Sequence, residues 1–315
     1  MIGIDVGGAN LKVVDDGGVS IHYCPLWEGA PVTPLLRQHA AGPGMAAAVV
    51  MSGELADCFG NKMQGITFIV DAVKAAFPQA RFYGADAAFH GGAVPQLAAA
   101  NWLASADYLR AGHPRAVLLD IGSTTADIIP LVRFSGLSGL TDLARLRKGF
   151  LLYTGMLRTN IATLLRSVEL GGVLTPVSTE YFAASADAHL VLGNITPADY
   201  TCDTPDHKEK TRAASLRRLA RVVCADLEEI GEDGAVQIAR QFWDTQRTMV
   251  CDAVRDCAEA CSAEEIIVAG TGAPLFAREL GGVDLARELG PPAAALPAFA
   301  VREIALRDRI FTKRR

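Results

Sequence analysis

Apolar positions recur along this chain in two rhythms. Short, nearly continuous apolar runs of strand length stand at residues 2–6, 46–51, 81–83, 117–121 and 265–269. Apolar residues at helical spacing mark 61–76, and long amphipathic stretches mark about 210–230 and 234–260. A last helical pattern covers 298–310, and Pro274 falls where the first turn of a short helix after 270–273 tolerates it. Between the helices, 193–208 is polar and broken by Pro197 and Pro205, which predicts a surface excursion. Strands alternating with helices predict an α/β protein.

One weak internal repeat organises the pattern. Residues 2–14 read IGIDVGGANLKVV and residues 117–129 read VLLDIGSTTADII. Aligned, Asp5 falls on Asp120, Gly7 on Gly122, Asn10 on Thr125 and Lys12 on Asp127. Each copy predicts a β-hairpin with a tight glycine turn rich in exposed N–H groups. Such a turn lets backbone approach an anion closely. Gly7, Gly8 and Asn10 in one copy, and Gly122, Ser123, Thr124 and Thr125 in the other, are therefore phosphate-binding candidates. Lys12 either reaches a phosphate or is a solvated strand residue. Asp5 and Asp120 lie at strand ends, where a carboxylate beside phosphate makes sense through a cation, so both are candidate ligands for Mg²⁺ or Mn²⁺. Asp127 reads equally as a general base or as a hairpin-stabilising group. A third strand runs into Gly270-Thr271-Gly272-Ala273, a turn suited to a nucleotide. One Asp-x-Gly turn is commonplace; two in matching register, followed by a strand–Gly-Thr-Gly–helix, are not.

Length and composition narrow the picture. The 315 residues suffice for about two domains, with a boundary near Ala111-Gly112-His113-Pro114. The first domain is expected at 1–111, with a C-terminal helix about 298–315 packing back on it; the second is expected at 112–297 with a helical insertion. Half the residues are hydrophobic and 21% charged, which excludes general disorder. Net charge is −5, and no basic stripe precedes the terminal Lys313-Arg314-Arg315, so nucleic acid is not an expected partner. No basic leader with an apolar run opens the sequence, and no segment approaches the ~18 apolar residues of a membrane helix, so a soluble cytoplasmic protein is expected. Seven scattered cysteines, without C-x-x-C or paired His, read as small packing residues in a reducing compartment.

Polar groups interrupt several otherwise apolar stretches. Glu54 and Asp57 follow a strand three residues apart, so a helical turn would place both on one face, with Lys62 close behind. Asn101 and Trp102 sit in a small-residue helix, and Tyr153, Thr154, Gly155 and Arg158 surround a glycine turn. Each has a bland counterpart: a helix cap for Glu54 or Asp57, a core position for Trp102, a surface pair for Arg158.

The motif Asp120-Ile121-Gly122-Ser123-Thr124-Thr125-Ala126-Asp127-Ile128, with MSGELADCF, AANWLA, LLYTGMLRT and Arg218-Leu219-Ala220-Arg221, gives nearly the whole chain a resemblance. It resembles the hydantoinase/oxoprolinase branch of the actin-like ATPase and sugar-kinase superfamily. Within that branch it is most similar to a short subgroup linked to tetrahydromethanopterin-dependent one-carbon metabolism. The resemblance implies an α/β fold of two actin-like (ribonuclease H-like) domains around an interdomain cleft. It also implies a magnesium-dependent transferase of methanofuran or methylofuran biosynthesis. Such an enzyme joins an aminomethylfuran-methyl diphosphate to the phenol of a tyramine- or tyrosine-type acceptor and releases diphosphate. Asp5, Asp120, Asp127, Glu54 and Asp57 are then the catalytic candidates. Lys62, Asn101, Trp102, Tyr153, Thr154, Gly155 and Arg158 are the substrate-binding candidates. ATP is permitted by the Gly270–Ala273 turn but is not favoured as a reactant. Longer members of the branch carry extra domains, so ring-opening hydrolysis is not implied. The rival readings are an ATP-dependent kinase of a small metabolite and a non-enzymatic, actin- or chaperone-like nucleotide switch. Oligomeric state is left open.

Overall fold

The protein is described by a computed structural model covering residues 1–40, 42 and 44–311; the expected extension of the last helix through 312–315, with its basic triplet, lies outside the described residues. In the first half, β1 (Ile2–Val6) pairs antiparallel with β2 (Asn10–Asp15), which pairs antiparallel with β3 (Gly18–Tyr23). On its other side β1 runs parallel to β4 (Ala47–Met51), followed by β5 (Arg81–Tyr83) and β6 (Phe89–His90). Every residue of β1 and β4 is buried, as a strand covered on both faces requires. One face packs on α1 (Val32–Arg37) and α2 (Lys62–Ala76). The Asn61 side chain caps α2 by accepting from the Gln64 N–H. The opposite face meets α3 (Asn101–Leu109).

The second half repeats the plan. β7 (Ala116–Ile121) pairs antiparallel with β8 (Ala126–Pro130). Then come α4 (Asp142–Arg147), β9 (Leu151–Leu152), α5 (Ile161–Leu164) and a separate hairpin of β10 (Ser167–Leu170) and β11 (Val173–Pro176). α6 (Ser185–Val191), α7 (Arg212–Arg221) and α8 (Leu227–Cys261) precede β12 (Glu265–Ala269), α9 (Ala273–Leu280), β13 (Val283–Asp284), α10 (Ala286–Leu289) and α11 (Leu296–Arg307). The two sheets, among the described residues, read β3-β2-β1-β4-β5-β6 and β9-β8-β7-β12-β13. In each, a central strand carries an antiparallel hairpin on one side and parallel strands on the other. That is the ribonuclease H-like topology, twice, and its pairing is the actin-like fold.

Helices α3 and α11 fill the layer between the sheets, where Val50 of β4, Leu118 of β7 and Ile267 of β12 share one apolar cluster with Leu103 and Val301. At Gly3 a Cβ would stand 2.0 Å from the Ala298 carbonyl oxygen, so only glycine lets α11 seat this deeply on β1. A further apolar cluster joins α6, α7 and α8.

Three local expectations need correction. The helical pattern over 210–230 is two elements: α7 stops at Arg221, Cys224 takes a left-handed φ of 58°, and Asp226 caps α8 by accepting from Glu228 and Glu229. Gly231, at φ 67°, then breaks the path of α8 near its start. The segment 193–208 is irregular but is not a free excursion, because the Tyr200 ring is fully buried and Cys202 and Thr204 are buried beside it. Cys58 and Cys224 are exposed, so the packing role assigned to the cysteines fails for those two; Cys24, Cys202, Cys251 and Cys261 are buried. Among the described residues no helix is long and apolar enough to cross a membrane.

Candidate active site

Both hairpin turns close identically. The Gly7 N–H donates to the Asn10 carbonyl at 2.9 Å, and the Gly122 N–H to the Thr125 carbonyl at 3.0 Å. The registers match too: Asp5 lies opposite Lys12 and Asp120 opposite Asp127. Gly7, Gly8, Asn10, Ser123, Thr124 and Thr125 are all half-buried. Other segments brace each turn from behind. The N–H groups of Ser52 and Gly53 donate to the Val6 carbonyl, and the Leu26 N–H donates to that of Gly8. At the second turn, the N–H groups of Leu157 and Arg158 both reach the Ser123 carbonyl, and that of Met156 reaches Gly122. Gly155 packs so closely that a Cβ would meet Thr124 N at 2.5 Å.

The charged groups of the two hairpins act on one another, so the turns stand close together. Burial, the dominant cause, lifts the Asp5 carboxyl to about 6; Lys12 opposes that lift and Asp127 adds to it. Asp120 is also lifted to about 6, by burial first, against Lys12 and with help from Asp127 and Asp5. Asp127 is raised as well, by burial, and is held back by Arg145, whose Nη2 donates to its Oδ1. Asp5 Oδ1 is buried with no hydrogen-bond partner. Lys12 makes no ion pair among the described residues, so its ammonium is available to an anion.

The third turn adjoins the second hairpin. Ala269 pairs with Asp120, and the Gly272 N–H donates to the Ile121 carbonyl at 3.1 Å. Gly270 has φ 84°, and a Cβ there would lie 2.4 Å from Ile121 O and 2.6 Å from Asp120 Oδ1. Thr271 is exposed, whereas Ala273 is buried as the first residue of α9. Gly270→Ala is therefore expected to displace the Asp120 carboxylate and lower kcat/KM by ~10- to 100-fold, the cost of misplacing a reacting group by about 1 Å. Unchanged steady-state kinetics in that variant would remove Gly270 from the site.

The remaining candidates are distributed unevenly. Glu54 is buried, its Oε2 has no partner, and burial raises its pKa, with Asp142 adding to the effect and Lys62 opposing it. Asp57 is exposed. The expected shared helical face is not formed: residues 53–60 make successive turns, Ala56 N–H to Gly53 O and Phe59 N–H to Ala56 O, before α2 starts at Lys62. Lys62 lines a side cavity of about 230 Å³ together with Asp86, Gln96 and Asp142. Asn101 is half-buried at the start of α3, and Trp102 is buried beneath Arg145, whose guanidinium lies 4.3 Å from its ring centre. Thr154 is buried and bonded to the Gln246 side chain, whereas Tyr153 is 73% exposed and turned to solvent. The structure thus gathers Asp5, Lys12, Asp120 and Asp127, sets Trp102 behind them, and leaves Asp57 and Tyr153 outside.

Arg145 is the residue the sequence reading missed. It is buried, pairs with Asp127 and Asp142, and covers Trp102. It sits in α4, which Thr141 caps, and nothing local in the sequence indicates its partner.

Whether a divalent cation fits can be judged from the donors present. Two carboxylates raised to about 6, one with an unpartnered oxygen, suit Mg²⁺, which commonly takes one or two protein carboxylates and completes its shell with water and phosphate oxygens. No group of three His, Cys, Asp or Glu side chains capable of holding a metal occurs among the described residues, so a fully protein-caged site is not what these residues build.

Two halves of ribonuclease H-like topology, each carrying a glycine turn and an aspartate, define a protein of the actin-like class. Residues 46–301 match the hydantoinase/oxoprolinase family, and the chain belongs to it. A relative from Methanocaldococcus jannaschii, (4-{4-[2-(gamma-L-glutamylamino)ethyl]phenoxymethyl}furan-2-yl)methanamine synthase, is 33% identical over 321 residues, covering 96% of this chain and 97% of that one. A synthase of the same name from Methanococcus vannielii is 40% identical over 156 residues, covering 50% of this chain and 70% of that one. Among solved structures, nucleotide-free acetone carboxylase aligns with TM-score 0.47 and 12% identity, over 93% of this chain and 51% of that one.

Proposed function

We propose that this protein is a transferase that forms an aryl ether between a furan-methyl diphosphate and a phenolic acceptor of the tyramine or tyrosine type, releasing diphosphate. The observation that carries the reading is the 33% identity, over 96% of this chain, to a synthase named for a phenoxymethyl furan. The facing glycine turns support it, because they offer N–H donors and the Lys12 ammonium where a diphosphate would lie. In this reading residues 1–111, with the C-terminal helix, and 112–297 are two domains that close on the donor. The protein is cytoplasmic and serves the one-carbon metabolism linked to tetrahydromethanopterin.

In the proposed step the phenol oxygen forms a bond to the furfuryl carbon, the carbon–oxygen bond to diphosphate breaks, and the bonding electrons leave with the diphosphate. Asp5 and Asp120 would hold Mg²⁺ or Mn²⁺, which supplies charge neutralisation for the departing group. Gly8, Asn10, Ser123, Thr124 and Thr125 would bind its oxygens through preorganised main-chain and side-chain donors, while Gly7 and Gly122, whose N–H groups close the turns, let the backbone approach it. The phenol, with a reference pKa of about 10, must surrender its proton. Among the carboxylates, Asp127 is engaged by Arg145 and Asp57 faces solvent, so Glu54, buried and unpartnered at Oε2, is our choice for the base.

The test is an incubation of protein and Mg²⁺ with an aminomethylfuran-methyl diphosphate and γ-glutamyl-tyramine, tyramine or tyrosine, without nucleotide. Ether and diphosphate in equal amounts are the expected products. A second reading, an ATP-dependent small-metabolite kinase, is favoured by the Gly270–Ala273 turn, which keeps the strand–turn–helix form. A strict ATP requirement with ADP release would replace the first reading by the second.

A further inference from the structure

Where the two halves meet beyond the phosphate turns, a cationic side chain stands on a tryptophan and an anionic one on a tyrosine, without pairing with each other. The Arg158 main-chain N–H is fixed to Ser123 of the second turn, and its guanidinium lies 4.5 Å from the centre of the Trp27 ring. Trp27 follows Leu26, which is hydrogen-bonded to Gly8 of the first turn. This stacked pair therefore bridges the two phosphate turns. Beside it the Tyr23 hydroxyl makes a long, 3.4 Å contact to the Asp203 carboxylate. Tyr23 is pushed up to about 12, by burial first and then by Asp203 and Glu28, while Arg158 pulls it down, so both Arg158 and Asp203 face it. Among the described residues Arg158 has no carboxylate partner and Asp203 no cationic one.

An arginine stacked on an aromatic face keeps its N–H fork free for a carboxylate, and a nearby free carboxylate accepts an ammonium. A guanidinium and a carboxylate that do not neutralise each other match the two charges of an α-amino-acid group. We propose that Arg158 and Asp203, with Trp27 and Tyr23 as the aromatic wall, form the acceptor subsite and select a phenol bearing a free α-amino-acid group. Arg158 takes the α-carboxylate, Asp203 the α-ammonium, and Trp27 packs on the acceptor. This rests on the transferase reading for the identity of the acceptor, and it makes Arg158, Asp203, Trp27 and Tyr23 determinants of specificity. Both γ-glutamyl-tyramine and free tyrosine carry the required group; tyramine does not.

Calorimetric titration without donor separates this subsite from the reaction itself. The wild-type protein is expected to bind γ-glutamyl-tyramine or L-tyrosine, and to bind tyramine ~10- to 100-fold more weakly, the scale of a charge-assisted hydrogen bond. Whichever of the first two binds tighter identifies the natural acceptor. Arg158→Gln should abolish the preference over tyramine, Arg158→Lys should restore part of it, and Asp203→Asn should erase discrimination against 3-(4-hydroxyphenyl)propionate, which lacks the ammonium. In turnover, both Arg158→Gln and Asp203→Asn should raise KM for the acceptor and leave KM for the donor within about twofold. Equal binding of tyramine and tyrosine-type phenols by the wild type, or an unchanged preference in folded Arg158→Gln, overturns the subsite. Selective binding without any ether formation would instead sustain the subsite and overturn the transferase reading.

Discussion

Asp5→Asn and Asp120→Asn should each lower turnover at least ~100-fold, the scale of losing one preorganised electrostatic element. Both carboxylates stand at strand ends beside a glycine turn, and each is held near 6 by burial. Left bare, they would repel a diphosphate at neutral pH; with a divalent cation they attract it. The same shifts predict a stability signature that needs no substrate. A carboxyl raised from 3.8 to about 6 on folding contributes stability that is fully present below the unfolded value and is lost as pH rises through about 6. The metal-free protein should therefore lose stability over that interval. Mg²⁺ should raise Tm at about pH 7.5 and have little effect near pH 5, where both groups hold their protons. In either Asn variant the metal response should shrink and the pH dependence flatten. Full activity in EDTA, or a wild-type Tm indifferent to Mg²⁺ at neutral pH, would remove the cation from the site.

What could be read in the sequence was what the chain determines locally. A hairpin counts its own register, so the two matching Asp-x-Gly turns were legible as hairpins, and in the fold that shared register sets Lys12 opposite Asp5 and Asp127 opposite Asp120. The β12 strand and the Gly270 turn were legible because a strand, glycines and a proline-started helix follow one another directly. Spacing failed where environment comes from remote chain. Glu54 and Asp57 sit three residues apart, yet Glu54 is buried next to the Ala99 main chain and Asp57 meets water. Their segment follows turns fixed by Gly53, on which Val6 and Gly7 close down, and no helical face exists to unite them. Tyr153 and Thr154 are neighbours with opposite fates, because Gln246 of α8, 92 residues away, bonds Thr154 while Tyr153 points outward. The Arg158–Trp27 stack joins the two halves of the chain and has no sequence signature at all.

Arg145→Met should be the most destabilising single change near the site, by roughly 3–5 kcal/mol, because it leaves a buried carboxylate without its counter-charge. Arg145 is buried, donates to Asp127 and Asp142, and stands over the Trp102 ring. Its loss leaves Asp127 to burial and the field of Asp142, opposed only by Lys12, so Asp127 should take up a proton and the hairpin should lose the group that orients it. Methionine keeps most of the volume and the contact with the indole, which isolates the charge from the packing. The neutral partner variant Asp127→Asn removes the charge that needs Arg145. Combining it with Arg145→Met should therefore recover much of the stability lost by Arg145→Met alone, giving a favourable interaction energy in a double-mutant cycle. Urea denaturation of the four proteins measures it. If the two losses simply add, the pair is not coupled and Asp127 is free to act as the base; if the double variant is rescued in stability and Asp127→Asn turns over within a few-fold of the wild type, Arg145 serves to hold Asp127 as an oriented carboxylate, and the proton of the phenol goes elsewhere, to Glu54.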